Sequence, residues 1–405
     1  MQFGITRDAR PRPRLLTPTF LLIMLSTLAY FTGVGAIIPT LPRFVKGPMA
    51  SGEVAVGLVV GAFAVTAVLL RPYSGRLSDQ RGRRLLIVLG GVLVGLSVLA
   101  YELATGLVVL VVLRLITGIG EAFFYVGVAS VINDLAPDER RGEALSYFSL
   151  ALFGGLAIGP VLGESVLEAF GYGWVWVVAG AASLIAGGLG FSVPETRPEG
   201  TGLGPQKLIH RAALLPGTVL ATNIWALATW TSFVTLYALN LGMDGARSIF
   251  VLNSAVVLSI RLFGARLPDR LGPKVAGGSA LICTVVGMAI IGVWGSGAGL
   301  YVGTFVWSVG HALAFPALMT LAVSRAPASE RGAVVGTFTA FFDLSFGVGA
   351  VSAGWMAASL GYRGAFLGSA IVAALGLVLL LGYKQAGARS GASQPAVEPV
   401  EELAS

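Results

Sequence analysis

The sequence predicts an all-α membrane protein with twelve transmembrane helices in two pseudo-symmetric six-helix bundles. Three observations predict this fold: the apolar composition, a series of long apolar runs, and an internal repeat. Of the 405 residues, 55% are hydrophobic and only 12% are charged, about half of the ~25% charged residues in a typical soluble domain. Such a chain cannot cover itself with polar surface in water, so a single soluble domain is excluded.

Apolar runs long enough to cross a membrane recur along the whole chain, since a helix crosses the hydrocarbon core with about 20 residues. In the first half the predicted spans are 16–41, 52–70, 85–104, 107–133, 143–167 and 173–193. In the second half they are 212–238, 247–264, 275–295, 298–324, 333–358 and 364–383. The first run exceeds the ~7–15-residue core of a signal peptide, so it is interpreted as a span.

The spans and the polar stretches between them predict five segments. These are a cytoplasmic N-terminal segment (1–15), the N-terminal six-helix bundle (16–193), a cytoplasmic linker (194–211), the C-terminal six-helix bundle (212–384) and a disordered cytoplasmic tail (385–405). The linker is the only long polar stretch in the interior of the sequence. The tail is rich in Ala, Ser, Gly and Glu, a composition that does not support a packed core.

The basic residues predict the orientation in the membrane. The net charge of +7 could indicate a nucleic-acid partner, but 22 of the 27 Lys and Arg fall on one side of the predicted spans. The positive-inside rule predicts that this side faces the cytoplasm, and both termini lie on it. The predicted location is the inner or plasma membrane, which the chain crosses several times. Arg71 is counted here with the cytoplasmic loop after the second span and Arg261 with the cytoplasmic end of the eighth span, and Arg114 is the one basic residue in mid-span. No nucleic acid is needed to explain the charge.

The two halves share a repeat with a constant spacing of 190 residues. Segment 71–84 matches segment 261–274, with Arg, Arg, Leu, Asp and Gly at the same positions. A second block has the same spacing: Ala136, Pro137, Arg141 and Gly142 match Ala326, Pro327, Arg331 and Gly332. Duplicated halves are typical of secondary transporters, whose binding site lies where the halves meet.

The motif Gly75-Arg-Leu-Ser-Asp79-Gln-Arg-Gly82-Arg83-Arg84 resembles the loop motif between spans two and three of the major facilitator superfamily. The resemblance covers about residues 15–384 and implies two bundles that rock about a central cavity. Gly75 and Gly82 fit a tight turn. The resemblance implies that Asp79 faces the N-terminus of span eleven and that Arg83 bridges to Asp134, forming a conformational latch with the repeat counterpart Asp269. The alternative is that these arginines only anchor the topology.

Four ionisable residues in mid-span are candidates for proton coupling: Glu121, Asp343, Arg114 and His311. Arg114-x-x-x-Gly118-x-Gly120 resembles the superfamily's span-four motif, which is linked to proton coupling, and the repeat places His311 at the position of Glu121. Ionisable groups in a membrane are costly, so they must face protein or water. The hypothesis is that Glu121 and Asp343 carry protons and that Arg114 and His311 tune them. Alternatively, Arg114 binds backbone carbonyls, and His311 with Asp343 forms a static hydrogen-bonded pair.

Span five contains Gly155-x-x-x-Gly159-Pro160-x-x-Gly163, which resembles the motif of proton antiporters engaged in export. Glu164 stands where the superfamily has a last glycine, and its place near the outer end suggests a solvated carboxylate. The alternative is a generic close contact between glycine-rich helices.

Glutamine is absent from the predicted spans, which disfavours a sugar site. The candidate cavity residues are Tyr30, Tyr125, Asn223, Trp230 and Phe342. A largely apolar cavity with few polar groups suits a lipophilic or amphipathic small molecule. The favoured function is therefore proton-coupled export by a monomer without cofactor or metal; an uptake symporter or facilitator of a small metabolite is the alternative. A membrane enzyme or sensor is disfavoured, because no catalytic motif is visible.

Overall fold

The computed structural model describes residues 15–137, 140–196, 209–264, 270–324, 326–327 and 330–382, apart from the side chains at 142, 331 and 332. The predicted tail, the segment 1–14 and most of the linker lie outside the described residues. Ten helices in the described part are long and apolar enough to cross a membrane.

Helices account for nearly all of the described residues. The first half contains α1 (Pro18–Lys46), α2 (Glu53–Arg81), α3 (Arg83–Leu99), α4 (Leu107–Leu135), α5 (Arg141–Phe170) and α6 (Tyr172–Gly190). The second half contains α7 (Arg211–Asn240), α8 (Arg247–Phe263), α9 (Pro273–Val293), α10 (Gly297–Val323) and a final stretch, Arg331–Gly382. That stretch breaks at Gly361, whose φ is 72°, so its parts are numbered α11 (331–360) and α12 (362–382). It counts once among the ten spans, and the 17-residue α8 is not among them.

The same helix pairs pack in both halves. In the first half α1 packs on α5, α2 on α4, and α3 on both α4 and α6; in the second half α7 packs on α11, α8 on α10, and α9 on both α10 and α12. Individual contacts also repeat at the spacing of 190: Gly120 lies against Gly90, and Gly310 lies against Ala280. The predicted all-α membrane fold with two pseudo-symmetric bundles is therefore confirmed.

The molecule has two ends that differ in charge. The end with the α2–α3, α4–α5 and α8–α9 connections is called the basic end, since Arg81, Arg83 and Arg140 lie there. The predicted second span stops at residue 70, but α2 continues to Arg81. Arg71 therefore lies about 15 Å inside this helix at ~1.5 Å per residue. Its assignment to a cytoplasmic loop is wrong, because polar residues ended the apolar run without ending the helix.

The halves meet through α2 on α11, α5 on α8, and α1 on α7. At the end opposite the basic end, α2 and α11 approach so closely that a Cβ at Gly57 would overlap the carbonyl oxygen of Ala350. Within the described residues, the hydrogen bonds, ion pairs and ring contacts between the halves extend toward the basic end only as far as Arg71 and Arg261. The halves are thus closed against each other at the opposite end.

Glu164 contributes to this closure, contrary to the expectation of a solvated side chain. It is completely buried, and the backbone N–H of Ala246 donates to its two carboxylate oxygens at 3.2 and 3.1 Å. Beside it, Arg247 forms an ion pair with Glu168. The α7–α8 connection covers Glu164, and this contact between distant segments could not be read from the position of Glu164 in α5.

Candidate functional site: a charged cluster between the halves

An ion pair joins the two halves in the interior of the molecule. Nη2 of Arg71 on α2 donates to Oδ1 of Asp343 on α11 at 3.0 Å, and Nε lies 2.8 Å from Oδ2. The side chain of Asp343 is only 4% exposed. The guanidinium also lies over the ring of Tyr125, 4.8 Å from its centroid. The Nη2–Oδ1 contact is a charge-assisted hydrogen bond, a stronger class of hydrogen bond than a neutral one, whereas the Nε–Oδ2 contact is an ion-pair distance without a hydrogen bond. Because Asp343 binds Arg71, it is not the static partner of His311.

Glu121 lies beside this ion pair on α4. It is partly buried, and the charges of Asp343, Arg71 and Arg114 all act on it. In the part of the chain that the structure describes, its carboxylate has no hydrogen bond or ion pair. Tyr30 of α1 is close enough for the charge of Glu121 to act on it, and its buried hydroxyl also lacks a partner among the described residues. Two unpartnered polar groups therefore accompany the ion pair.

Arg114 is held by the backbone of α2. Its Nε donates to the carbonyl oxygen of Val59 at 3.0 Å, its Nη2 donates to that of Val60 at 3.1 Å, and its Nη1 donates to the hydroxyl of Tyr101 at 3.4 Å. The guanidinium also covers the ring of Phe63. The structural alternative for Arg114, a bond to backbone carbonyls, is thus what the geometry shows, and its charge still acts on Glu121.

His311 lies apart from this cluster. Its ring stacks on Trp307 with centroids 5.2 Å apart, and its buried Nδ1 has no hydrogen-bond partner among the described residues. The charge that acts on it is Arg261. The structure therefore brings together three of the four predicted residues and adds Arg71, which sequence reasoning missed. The sequence did contain a signal for Arg71, since an arginine occupies the equivalent position, Arg261, in the second half of the repeat.

The predicted latch residues lie at the basic end within the first half. Arg83 forms an ion pair with Asp134, and its Nη2 is 3.6 Å from Oδ1 of Asp79. Within the described residues, which leave out the side chains at 331 and 332, no hydrogen bond or ion pair joins Asp79 to α11, and the expected approach to span eleven stays a prediction. Gly75 lies inside α2 with open space around it rather than in a turn. Asp269 lies outside the described residues, and the latch role stays a prediction.

Glu195 completes the α2–α3 connection and was not anticipated. Its carboxylate accepts hydrogen bonds from the backbone N–H groups of Arg83 and Arg84, at 2.9 and 3.3 Å. These are orphan donors at the first turn of α3, where the helix dipole also favours an anion. Gly82 has a φ of 102°, which L side chains rarely adopt, and a Cβ there would overlap Glu195. The positive φ therefore favours glycine at Gly82, and a larger side chain would also displace the flexible carboxylate of Glu195.

The α5 motif forms a close contact with α1. A Cβ at Gly159 would lie 2.6 Å from the Cα of Gly35, and one at Gly155 would lie 2.7 Å from the Cβ of Phe31. A Cβ at Gly163 would overlap the backbone of α1 as well. Pro160 lies inside α5 at the same contact. The geometry shows close helix packing, and the antiporter role of the motif stays a prediction.

The predicted cavity residues separate into two groups. Asn223 and Trp230 are fully buried in the second half, where the Asn223 amide donates to Thr284 at 2.7 Å and the Trp230 indole donates to Thr304 at 3.3 Å. They lie in helix packing rather than on a cavity wall, because both side chains are buried against neighbouring helices; the amide oxygen of Asn223 has no hydrogen-bond partner among the described residues. Tyr30 is also fully buried. The two partly exposed residues of the set are Tyr125 and Phe342.

Two pseudo-symmetric bundles of membrane-spanning helices, with a charged cluster where they meet, define a multi-pass membrane transporter. A family model described as the Major Facilitator Superfamily (MFS) matches residues 23–350 and 300–402. The chain belongs to this superfamily.

Similar proteins agree with this assignment. An uncharacterized MFS-type transporter of Salmonella typhimurium is 27% identical, covering 87% of this chain and 93% of its own length. Multidrug resistance protein 2 of Bacillus subtilis is 32% identical over 41% of each chain. The crystal structure of a bacterial homologue of the human lysosomal transporter Spinster has a TM-score of 0.75 at 14% identity, covering 89% of this chain and 95% of its own. That structural similarity supports the fold.

Proposed function

We propose that this transporter exports an amphipathic or lipophilic small molecule in exchange for protons, by alternating access, with the basic end in the cytoplasm. The observation that carries the proposal is the Arg71–Asp343 ion pair, which joins the two halves beside the unpartnered carboxylate of Glu121. A buried carboxylate that bridges two moving bodies links its protonation to their contact.

The coupling follows from the charges. A proton on Asp343 removes the negative charge that holds Arg71, so the bridge between α2 and α11 weakens. Loss of the proton restores the bridge. A ligand shifts a conformational equilibrium by its different affinity for the two states, and here the proton favours the state without the bridge. Glu121 is the second carrier, because its carboxylate is not occupied by a partner within the described residues.

The conformation fits the loading step of export. The halves are closed at the end opposite the basic end, where Glu164 and Gly57 form contacts between them. With the basic end in the cytoplasm, as the positive-inside rule favours, the proposed opening between the halves faces the cytoplasm. In the other conformation, Asp79 is proposed to approach the N-terminus of α11, where the helix dipole attracts an anion. Asp79, Arg83 and Asp134 would then stabilise the state that is open to the outside.

The name of one relative favours export over uptake, and the partly exposed aromatic residues favour an apolar solute. Multidrug resistance protein 2, which is 32% identical over 41% of this chain, is named for resistance to drugs, and removal of a drug from the cell would produce such resistance. The partly exposed aromatic residues Tyr125 and Phe342 suit an apolar solute, and few amides are available for hydroxyl groups.

The test uses the purified full chain in liposomes that contain a pH-sensitive dye. With an imposed proton gradient and a panel of amphipathic solutes, a coupled solute should cause proton release, and the sign of the pH change distinguishes export from symport. Glu121→Gln should abolish this proton flux. Glu102→Gln, an exposed carboxylate at the opposite end, is the control and should retain it. Full flux in Glu121→Gln would remove Glu121 from the proton path, and no solute-dependent flux in the wild type would reject proton coupling.

A further inference from the structure

The repeat places a second arginine opposite the first. A shift of 190 residues takes Arg71 to Arg261 and takes Asp343 back to Phe153. The structure contains both pairs: Arg71 on α2 contacts Asp343 on α11, and Arg261 on α8 contacts Phe153 on α5, with Cζ 3.3 Å from the ring centroid. The pseudo-twofold axis thus relates an ion pair to a cation–π contact.

The position of Phe153 in α5 shows how far the second contact lies from the basic end. It lies 12 residues into α5, or about 18 Å from the basic end by helix rise. His311, on which the charge of Arg261 acts, lies near the middle of α10. Arg261, counted from the sequence with the cytoplasmic end of its span, is therefore inside the molecule, at the boundary between the halves.

The two sites differ in charge. Around Arg71, two carboxylates balance two arginines, since Asp343 and Glu121 accompany Arg71 and Arg114. At the corresponding second site, the positions of the carboxylates are occupied by Phe153 and His311. Within the described residues, no carboxylate forms an ion pair with Arg261. A guanidinium keeps its charge in proteins, so the second site carries a positive charge that no carboxylate among the described residues compensates.

Two buried polar atoms at this site lack partners. Nε of Arg261 and Nδ1 of His311 are both buried, and neither has a hydrogen-bond partner among the described residues. They belong to different helices, α8 and α10. Buried polar groups are nearly always hydrogen-bonded, so two unpartnered groups beside a free positive charge indicate a place where an anion binds.

We propose that Arg261, assisted by His311, binds the anionic group of the transported solute, and that the solute is an organic monoanion with an apolar body, such as a carboxylate or sulfonate. A guanidinium matches the two oxygens of such a group in a planar two-point contact. The ring of Phe153 provides an apolar surface beside it. This inference rests on the proposed transport function and narrows its substrate class.

The first experiment measures binding to the full chain in lipid nanodiscs, with three probes that share one apolar body: phenylbutyrate, phenylbutanol and phenylbutylamine. The wild type should bind the anion more tightly than the alcohol or the amine. Arg261→Gln should weaken anion binding about 10- to 100-fold, the range for loss of a hydrogen bond to a charged group. Arg211→Gln removes an exposed arginine at the start of α7 and should leave binding unchanged.

Phe153→Asp is the second variant. It keeps Arg261 but gives it the internal carboxylate that Arg71 already has, so anion binding should fall as far as in Arg261→Gln, while thermal stability in detergent is maintained. This variant decides the question if Arg261→Gln does not fold. The proposal is overturned if the anion binds no better than the alcohol and the amine, or if Phe153→Asp binds the anion like the wild type.

The liposome assay separates the two proposals. Proton flux driven by the alcohol or the amine but not by phenylbutyrate would overturn the anion site and leave proton-coupled transport intact. Binding of phenylbutyrate that depends on Arg261, without solute-driven proton flux, would support the anion site and reject proton coupling.

Discussion

The Arg71 site and the Arg261 site occupy equivalent places in the two halves, but among the described residues only the first has a carboxylate paired with its arginine. At the first, Asp343 forms an ion pair and one hydrogen bond with the guanidinium; at the second, an aromatic ring lies against it. The backbone packing around the two sites is similar, since α2 lies on α11 and α8 lies on α5. The comparison teaches that the duplicated helices retained their contacts while a few side chains gave the two sites different chemistry.

The largest difference in stability between the two sites should appear when Asp343, the partner of Arg71, is changed. Asp343→Asn leaves Arg71 as a buried charge without a counterion, and breaking one side of a buried ion pair typically costs roughly 3–5 kcal/mol. We expect a lower unfolding temperature in detergent and loss of solute-driven proton flux. Arg261→Gln removes no ion pair, so it should lower the unfolding temperature less than Asp343→Asn does.

The double variant Arg71→Gln/Asp343→Asn is the matched control. Removing both charges eliminates the unpaired one, so much of the lost stability should return. Proton flux should stay absent, because the carrier is missing. Equal unfolding temperatures for the single and double variants would show that the ion pair does not contribute in the way proposed here.

A smaller difference is expected between the helix contacts of the two halves. A Cβ at Gly159 would lie 2.6 Å from the Cα of Gly35, whereas one at Gly349, its equivalent at the spacing of 190, would lie 3.1 Å from its nearest neighbours. Gly159→Ala should destabilise the protein by about 1–3 kcal/mol, as overpacking does. Gly349→Ala should be nearly neutral, since alanine in a helix recovers roughly 0.5–1 kcal/mol. Equal melting temperatures for these two variants would contradict a tighter α1–α5 contact.

The smallest effect is expected at the basic end, where α3 has a carboxylate cap. Glu195→Ala leaves the N–H groups of Arg83 and Arg84 without their acceptor, and should cost about 1 kcal/mol, as loss of a helix cap typically does. Thermal unfolding measures this, with Glu102→Gln as the control at the opposite end. An unchanged unfolding temperature in Glu195→Ala would show that solvent replaces the cap without loss.

Much of the architecture could be predicted because span length and the repeat are properties of the linear sequence. The boundaries were less predictable where helices extend beyond the apolar run, as α2 does past residue 70. In the site, Glu121 and Asp343 were found because carboxylates in apolar spans are rare. Arg71 was missed because its charge ended the predicted span, so it was assigned to the loop that follows.

The sequence alone determined that the chain has duplicated halves of membrane-spanning helices, because apolar length and a constant spacing do not depend on how the helices pack. The tertiary structure alone decided which charges are paired. Arg71 and Asp343 are 272 residues apart in sequence, and they meet because α2 and α11 face each other across the boundary between the halves. Ion pairs form over a few ångströms, so the partner of each charge depends on which helix faces meet and not on spacing along the chain.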